Sequence, residues 1–337
     1  FTFWSHPLAP RPLSSAINVH DVVVRPGPNS PLTIWWPRRF ADFRRVDLFH
    51  GPQNILPRNL PCATVVTVHD LMPIEAPHLF LKGTERLVRR FYYPQAVWRA
   101  LQQATRIITP SNATADRIVA HLPSAAKRIR VIRQGVEPAF RPAADLAGAQ
   151  ARVSRLLGGD WPYLLVVGAN TAAKRHDVAL AAFASAAAAP CRLVLLQRRL
   201  QDKQLVRLAE RLGVADRTIW IERVAPPDVV ALLQCATALL QPSVYEGFGL
   251  PVLEAMACGC PVIATDIPPF REVSGGAASF AAVDDVEQFA AAVRQVVHSA
   301  ELRASMRERG LAQAKKFSWD RCASETLEVY HEAAGTR

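Results

Sequence analysis

Short, wholly apolar runs alternate with longer segments of mixed polarity along this chain, most regularly after residue 160. The runs at 163–167, 193–196, 218–221, 237–240 and 261–264 are apolar on both faces. Such runs predict strands buried inside a parallel sheet rather than half-exposed ones. Helical spacing fills the intervals at 178–189, 203–212, 226–235, 251–258, 284–298 and 300–316, and a last helix follows Ser318. Pro226 and Pro251 stand near helix starts, where a missing N–H does no harm. Strands of this kind alternating with helices predict an α/β, doubly wound parallel sheet.

The first half repeats the pattern less cleanly. Residues 46–49, 63–68 and 106–109 read as buried strands, and 79–103 and 113–122 as helices. The stretch up to about residue 60 is Pro-rich and irregular. The chain opens strand-like at 1–5, whereas a doubly wound domain usually opens with strand, glycine loop and helix. That first strand and helix are expected to be missing here. Gly135, Pro138 and Pro142 interrupt both helix and strand and mark a linker. The expected division is a first domain at 1–135, a linker at 136–146, a second domain at 147–316 and a closing helix at 317–337. Two Rossmann-like domains then face each other across a cleft, with ligands at the carboxyl ends of the strands. No repeat of 20–50 residues is visible, and no apolar run approaches the roughly 18 residues of a membrane span.

Charge changes this picture. The net charge of +11 belongs wholly to residues 1–143, which hold 19 Lys and Arg against 8 Asp and Glu. An anionic partner for that part alone explains the asymmetry; so does an Arg-rich composition. In 79–103, Arg86, Arg89, Arg90 and Arg99 lie beside Phe91, Tyr92, Tyr93 and Trp98, with Pro94 expected to kink the helix. Basic plus aromatic residues suit an interfacial helix and peripheral contact with an anionic membrane. The alternative is a surface helix whose aromatics belong to the core. No nucleic-acid module accompanies the charge. The six cysteines are scattered without Cys-x-x-Cys spacing and read as buried free thiols.

The densest chemical signal is Pro242-Ser-Val-Tyr-Glu-Gly-Phe-Gly-Leu-Pro-Val-Leu-Glu254. A strand feeds a loop holding Gly247 and Gly249, and Leu250-Pro251 opens a helix. Glycines allow close backbone approach to a ligand, and a helix start favours phosphate. Glu246 in the loop and Glu254 on the first turn suit vicinal sugar hydroxyls, which carboxylates bind by accepting two hydrogen bonds. The constellation describes a nucleotide-sugar site. A dinucleotide fingerprint is the rival, but its third glycine is Val252 here. A tight strand–helix turn with a solvated Glu254 is the purely structural alternative.

This stretch resembles the Glu-x7-Glu signature of the family 4 retaining glycosyltransferases, which have the GT-B fold. Further landmarks fall in that family's order: Phe49-His-Gly-Pro52 with Leu56-Pro57, Val66-Thr-Val-His-Asp-Leu71, Thr109-Pro-Ser111, the linker at 131–142 and Phe317-Ser-Trp319. The likeness is strongest to bacterial transferases of lipopolysaccharide or exopolysaccharide assembly, many of them mannosyltransferases. It implies that Glu254 holds ribose hydroxyls and Glu246 the 3- and 4-hydroxyls of the transferred sugar. Gly247, Phe248, Gly249 and Leu250 contact sugar and diphosphate through their backbone, and Val224 lies on the donor side. His69 sits near the reacting centre; its structural alternative is a capping or core histidine. Gly51, Asp70 and Ser111 fall on the acceptor side.

The family usually sets an Arg–Lys pair on the diphosphate in place of a metal. Here Lys174 fits the lysine, Ala169 and Ala173 occupy the usual Arg positions, and Arg175 is the substitute candidate. The glycine common after the next strand is absent from Leu196-Gln-Arg-Arg. The implied reaction is metal-independent, retaining transfer of a hexose to a saccharide or lipid-linked acceptor. GDP-mannose is the favoured donor and a UDP-sugar the other, with no cofactor. The implied location is the cytoplasm, at the inner face of the membrane. The alternatives are a non-catalytic nucleotide- or glycan-binding member and a GT-B-fold epimerase.

Overall fold

A computed structural model describes residues 1–6, 16–25, 30–80, 86–187, 190–197 and 203–335, with residues 21, 80 and 86–91 as backbone alone. The first half contains β1 (Thr2–Ser5), β2 (His20–Val23), β3 (Leu48–Gly51), β4 (Ala63–Thr67), β5 (Arg106–Thr109) and β6 (Ile129–Val131). β3 to β6 form a parallel sheet in chain order. Among the described residues β1 and β2 pair only with each other, and a groove of about 1310 Å³, lined by Phe1, Trp4, Phe43, Phe49 and Leu327, lies along β1 and β3.

The second half contains β7 (Tyr163–Val167), β8 (Arg192–Leu196), β9 (Thr218–Ile221), β10 (Ala238–Gln241), β11 (Val262–Thr265) and β12 (Ser279–Ala281). Their order is β12-β11-β10-β7-β8-β9, all parallel. The winding reverses between β7 and β10, the place where doubly wound sheets bind ligands. Alternate residues serve two cores. Leu164, Leu193, Leu240 and Ile263 pack with Phe183 and Phe289 on one face. Leu165, Val194, Leu239 and Val262 pack with Val252 and Phe270 on the other. Burial on both faces is why the strands read as unbroken apolar runs.

The last helix, Trp319–Ala334, returns to the first half. It is capped by Ser318, whose hydroxyl accepts from the Asp320 and Arg321 amides, and it lays Val329 and Ala333 on Ala63, Val65, Ile108 and Ile132. Two chain segments therefore cross between the halves, and they touch at Gly135. A Cβ there would stand 2.1 Å from the Trp319 nitrogen.

Several elements differ from the sequence reading. The first strand of the four-stranded sheet starts at Leu48, not residue 46. Helix Leu146–Leu157 begins at the end of the expected linker because Asp145 caps it and Val153 and Leu157 find cover. Helix Arg86–Gln103 runs through Pro94 to the expected end. Of the aromatics singled out on it, Tyr92, Tyr93 and Trp98 are half-buried and pack against the first core. The side chains of Arg86, Arg89, Arg90 and Phe91 lie outside the described residues. All six cysteines are free, and four are buried.

Candidate active site

The loop after β10 runs from Pro242 to Gly249 and opens helix Leu250–Cys258. Its two glycines are required for different reasons. Gly249, the residue capping the helix, has φ +111°, a conformation side-chain-bearing residues rarely adopt. At Gly247 a Cβ would stand 1.8 Å from the His69 carbonyl oxygen. The space that the sequence reading kept for a ligand is, at Gly247, taken by the backbone of the other half. The Ser111 hydroxyl donates to the Gly247 carbonyl at 2.6 Å, and Thr114 adds a second donor at 3.2 Å. Ser111 is also the buried cap of helix Asn112–His121, accepting from the Thr114 amide.

Lys174 and Glu246 meet at the reversal point. β7 is followed by Gly168, with φ +143°, over which the Lys174 side chain lies 3.7 Å from where a Cβ would stand. A short turn, Ala172–Lys174, then brings its ammonium to 2.5 Å from Glu246 Oε1. Gln241, the last residue of β10, donates to the same oxygen at 3.4 Å. The side chains of Lys174 and Glu246 are mostly buried, so the attraction is poorly screened by water. Arg175 is engaged elsewhere: its guanidinium pairs with Asp177 at 3.1 Å and with Asp284. Ala173 is buried with Ala76 and Tyr245, which leaves no room for the arginine usual in the family.

The opposing wall comes from β4 and the turn after it. The His69 amide donates to Asn54 Oδ1 at 2.7 Å. Its Nε2 lies 2.8 Å from the Pro52 carbonyl and its Nδ1 3.5 Å from the Gln134 amide nitrogen. A carbonyl only accepts, so in the neutral ring Nε2 carries the proton and Nδ1 is the acceptor. Asp70 accepts from the Met72 amide, and burial raises its carboxyl above the usual range. Gly51 ends β3 where a Cβ would meet the Ile55 carbonyl at 2.3 Å.

A second bridge flanks the loop. The Tyr245 hydroxyl donates to Glu75 at 2.5 Å, Arg117 stacks over its ring at 4.3 Å, and His121 lies 3.1 Å from Glu75. On the far side, Glu272 accepts from the Asn112 and Ala113 amides and pairs with Arg133. A carboxylate at a helix start is favourably placed. Glu246 is thus held from its own half by Lys174 and Gln241, while the other half clamps the loop through Ser111, Thr114 and Glu75.

Glu254 sits one turn into its helix, beyond the first turn expected from the sequence because the helix starts at Leu250; it is partly buried, with no hydrogen-bond partner among the described residues. Burial, reinforced by Glu137, raises its pKa from 4.5 to about 7. This part of the protein's stability is complete below the ordinary carboxyl range and is lost as pH rises through about 7. Hydroxyl donors on a bound ribose would favour the ionised form instead. Affinity for an intact nucleotide-sugar, whose diphosphate does not titrate here, is expected to rise about tenfold per pH unit between pH 5 and 7 and then level off. Calorimetry in buffers of different ionisation enthalpy should show a proton released at pH 6. A pH-independent affinity would remove Glu254 from the site.

The structure gathers Glu246, Lys174, Gly247, Ser111, Asp70 and His69 where the two halves meet, with Gly249 and Leu250 opening the helix beside them. Phe248 directs its ring into the core against Phe317, at 5.8 Å between centroids, so only its backbone faces outward roles. Val224 packs on the same core. Sequence reasoning missed Gln241, Asn54, Glu75, Tyr245, Arg117, Gln134 and Glu272. Each acts through a partner 15 or more residues away or on a neighbouring turn, so no local spacing marks it. Among the described residues, no group of three His, Cys, Asp or Glu is placed to hold a metal ion.

Comparison with known proteins gives the family and the fold. A family model described as "Glycosyl transferases group 1" matches residues 150–313, and one described as "Glycosyltransferase Family 4" matches residues 2–140. The chain is 30% identical over 312 residues to O-antigen chain mannosyltransferase B of Escherichia coli, spanning 88% of this chain and 76% of that protein. It spans little more than half the length of some other relatives. Its fold resembles that of WaaG, a glycosyltransferase involved in lipopolysaccharide biosynthesis, at TM-score 0.67 and 19% identity, over 85% of this chain and 78% of WaaG. It also resembles Anabaena Alr3699/HepE in complex with UDP-glucose, at TM-score 0.66 and 18% identity, over 80% and 72% of the two chains. The two matched families, the 30% identity across most of the chain and the two facing parallel sheets together show that this chain belongs to the family 4 glycosyltransferases of GT-B fold.

Proposed function

We propose that the protein is a retaining, metal-independent hexosyltransferase of bacterial cell-surface polysaccharide assembly. The Lys174–Glu246 pair at the reversal point of the second sheet carries this reading. In it, the second half binds a nucleotide-sugar and the first half binds a saccharide or lipid-linked acceptor. Glu254 accepts from the ribose and Glu246 from the sugar. Lys174 and the helix start at Leu250 face the diphosphate, where positive charge stabilises the departing anion. His69 and Asp70 border the acceptor.

The bond from the anomeric carbon to the phosphate oxygen breaks as the acceptor oxygen bonds to the same face of that carbon. The acceptor proton passes to the departing phosphate oxygen. A gripped loop and a narrow crevice exclude water and limit donor hydrolysis. Mannose is the favoured sugar because the E. coli relative is a mannosyltransferase, and GDP-mannose is the donor proposed for this chain. A UDP-sugar is the second candidate, since Alr3699/HepE is seen with UDP-glucose. The reaction belongs at the cytoplasmic face of the membrane.

Transfer is expected to persist in excess chelator and to keep the donor's anomeric configuration, read by NMR of the product. Activity lost in chelator and restored by manganese would refute the cationic clamp. An inverted product would refute retention.

A further inference from the structure

Glu246 stands between two residues that the first half grips. Tyr245 precedes it and donates its hydroxyl to Glu75 at 2.5 Å. Gly247 follows it, and its carbonyl accepts from Ser111 at 2.6 Å and from Thr114 at 3.2 Å. None of these contacts touches the Glu246 side chain, which Lys174 and Gln241 hold from the second half. The backbone of the residue is therefore fixed from one half and its carboxylate from the other.

Both grips trace to one face of one helix. Ser111 caps helix Asn112–His121. Thr114, Arg117 and His121 follow at steps of three or four residues, which aligns them along that face. Its first turn holds Gly247 directly. Its later turns hold Tyr245 through Glu75: Arg117 lies 3.8 Å and His121 3.1 Å from that carboxylate, and Arg117 also stacks over the Tyr245 ring. Glu75 ends the short helix Met72–Glu75, which starts where the Asp70 carboxylate accepts from the Met72 amide. The Tyr245 ring is buried beside Ala76 and Ala173. Burial, reinforced by the bond to Glu75, raises its hydroxyl above the ordinary range, so it stays a donor. A phenol donating to a carboxylate makes a short, directional bond.

We infer that Tyr245, Glu75 and Thr114 are positioning residues for Glu246, setting its backbone from the opposite half of the molecule. The inference rests on Glu246 as the sugar-binding carboxylate of the proposed reaction. A group that binds the transition state loses much of its effect when displaced by about 1 Å. Glu254 and the helix start at Leu250 lie outside the grip. Loosening it should therefore slow transfer without weakening the hold on the nucleotide.

The test compares Tyr245→Phe and Thr114→Val in the full chain, with whichever of GDP-mannose and UDP-glucose it turns over. Phenylalanine keeps the buried ring and valine the buried shape, so each variant loses only a hydroxyl. Each should lower kcat by about tenfold and move the donor KM by no more than about threefold. Affinity for the nucleoside diphosphate alone should stay within about twofold. Glu75→Gln keeps an acceptor oxygen for Tyr245 and should retain more activity than Glu75→Leu. Placed in Glu246→Gln, Tyr245→Phe should change kcat by less than about twofold, because the group it positions is already lost. A full tenfold loss in that background, or a fall in nucleotide affinity equal to the fall in kcat, would make the contacts merely structural and overturn the inference. Unchanged kcat in folded Tyr245→Phe and Thr114→Val, with Glu246→Gln inactive, would overturn it alone. Near-normal turnover by Glu246→Gln would refute the role of Glu246 and the inference together.

Discussion

Glu246→Gln is expected to lower the rate of sugar transfer by about a thousandfold while leaving the fold intact. The carboxylate occupies the loop between β10 and its helix, 2.5 Å from the Lys174 ammonium, with Gln241 as second donor. In the proposed reaction it accepts from sugar hydroxyls, and such bonds contribute to rate only as far as they strengthen in the transition state. Losing one preorganised electrostatic contact of this kind typically costs about 3–4 kcal/mol of transition-state stabilisation. Glutamine keeps the shape and an acceptor oxygen but loses the charge opposite Lys174. The stability cost should be about 1–2 kcal/mol, a shift of a few degrees in a chain of this size. Nucleotide affinity should change little, because the helix start and Glu254 remain. The discriminating measurement is kcat beside the melting curve. Near-normal turnover in a folded variant would remove Glu246 from the reaction.

Much of the second half was legible because its strands are buried on both faces. Burial of alternate residues in two cores leaves no polar position to disguise a run such as Tyr163–Val167. The first half was harder. β6 is three residues long with only half-buried ends, so it produces no period that can be counted; in the second half β12 is equally short and hidden for the same reason. The loop carrying Glu246 was visible because helix-start chemistry and glycine spacing are local. Its clamps were not. Ser111 reaches Gly247 across 136 positions, and Glu75 reaches Tyr245 across 170. The purpose of Gly247 was misread for the same reason: the group that demands it is a carbonyl from a distant strand end.

Lys174→Met should have the second large effect, and Arg175→Gln is its control. Both residues lie where the family's diphosphate cations are expected, so the sequence left their roles open. Their surroundings separate them. The Arg175 backbone is left-handed, with φ 46°, and its guanidinium is shared by Asp177 and Asp284, which hold its charge firmly. Among the described residues Lys174 has one carboxylate partner, Glu246, and the pair follows the strand ends where β7 and β10 part. In the proposed reaction the diphosphate faces Lys174 and the sugar faces Glu246, so the donor parts the pair. The leaving group gains negative charge as the glycosidic bond breaks, so the ammonium interacts more strongly with the transition state than with the bound donor. Lys174→Met should therefore lower kcat by about a hundredfold or more and raise the donor KM only several-fold. Methionine retains most of the aliphatic stem that lies over Gly168, which limits the loss of packing. Arg175→Gln should keep kcat within about twofold and lower the melting temperature, because Asp177 and Asp284 lose their shared cation. A large fall in kcat for Arg175→Gln, with Lys174→Met silent, would place the diphosphate clamp on Arg175 instead.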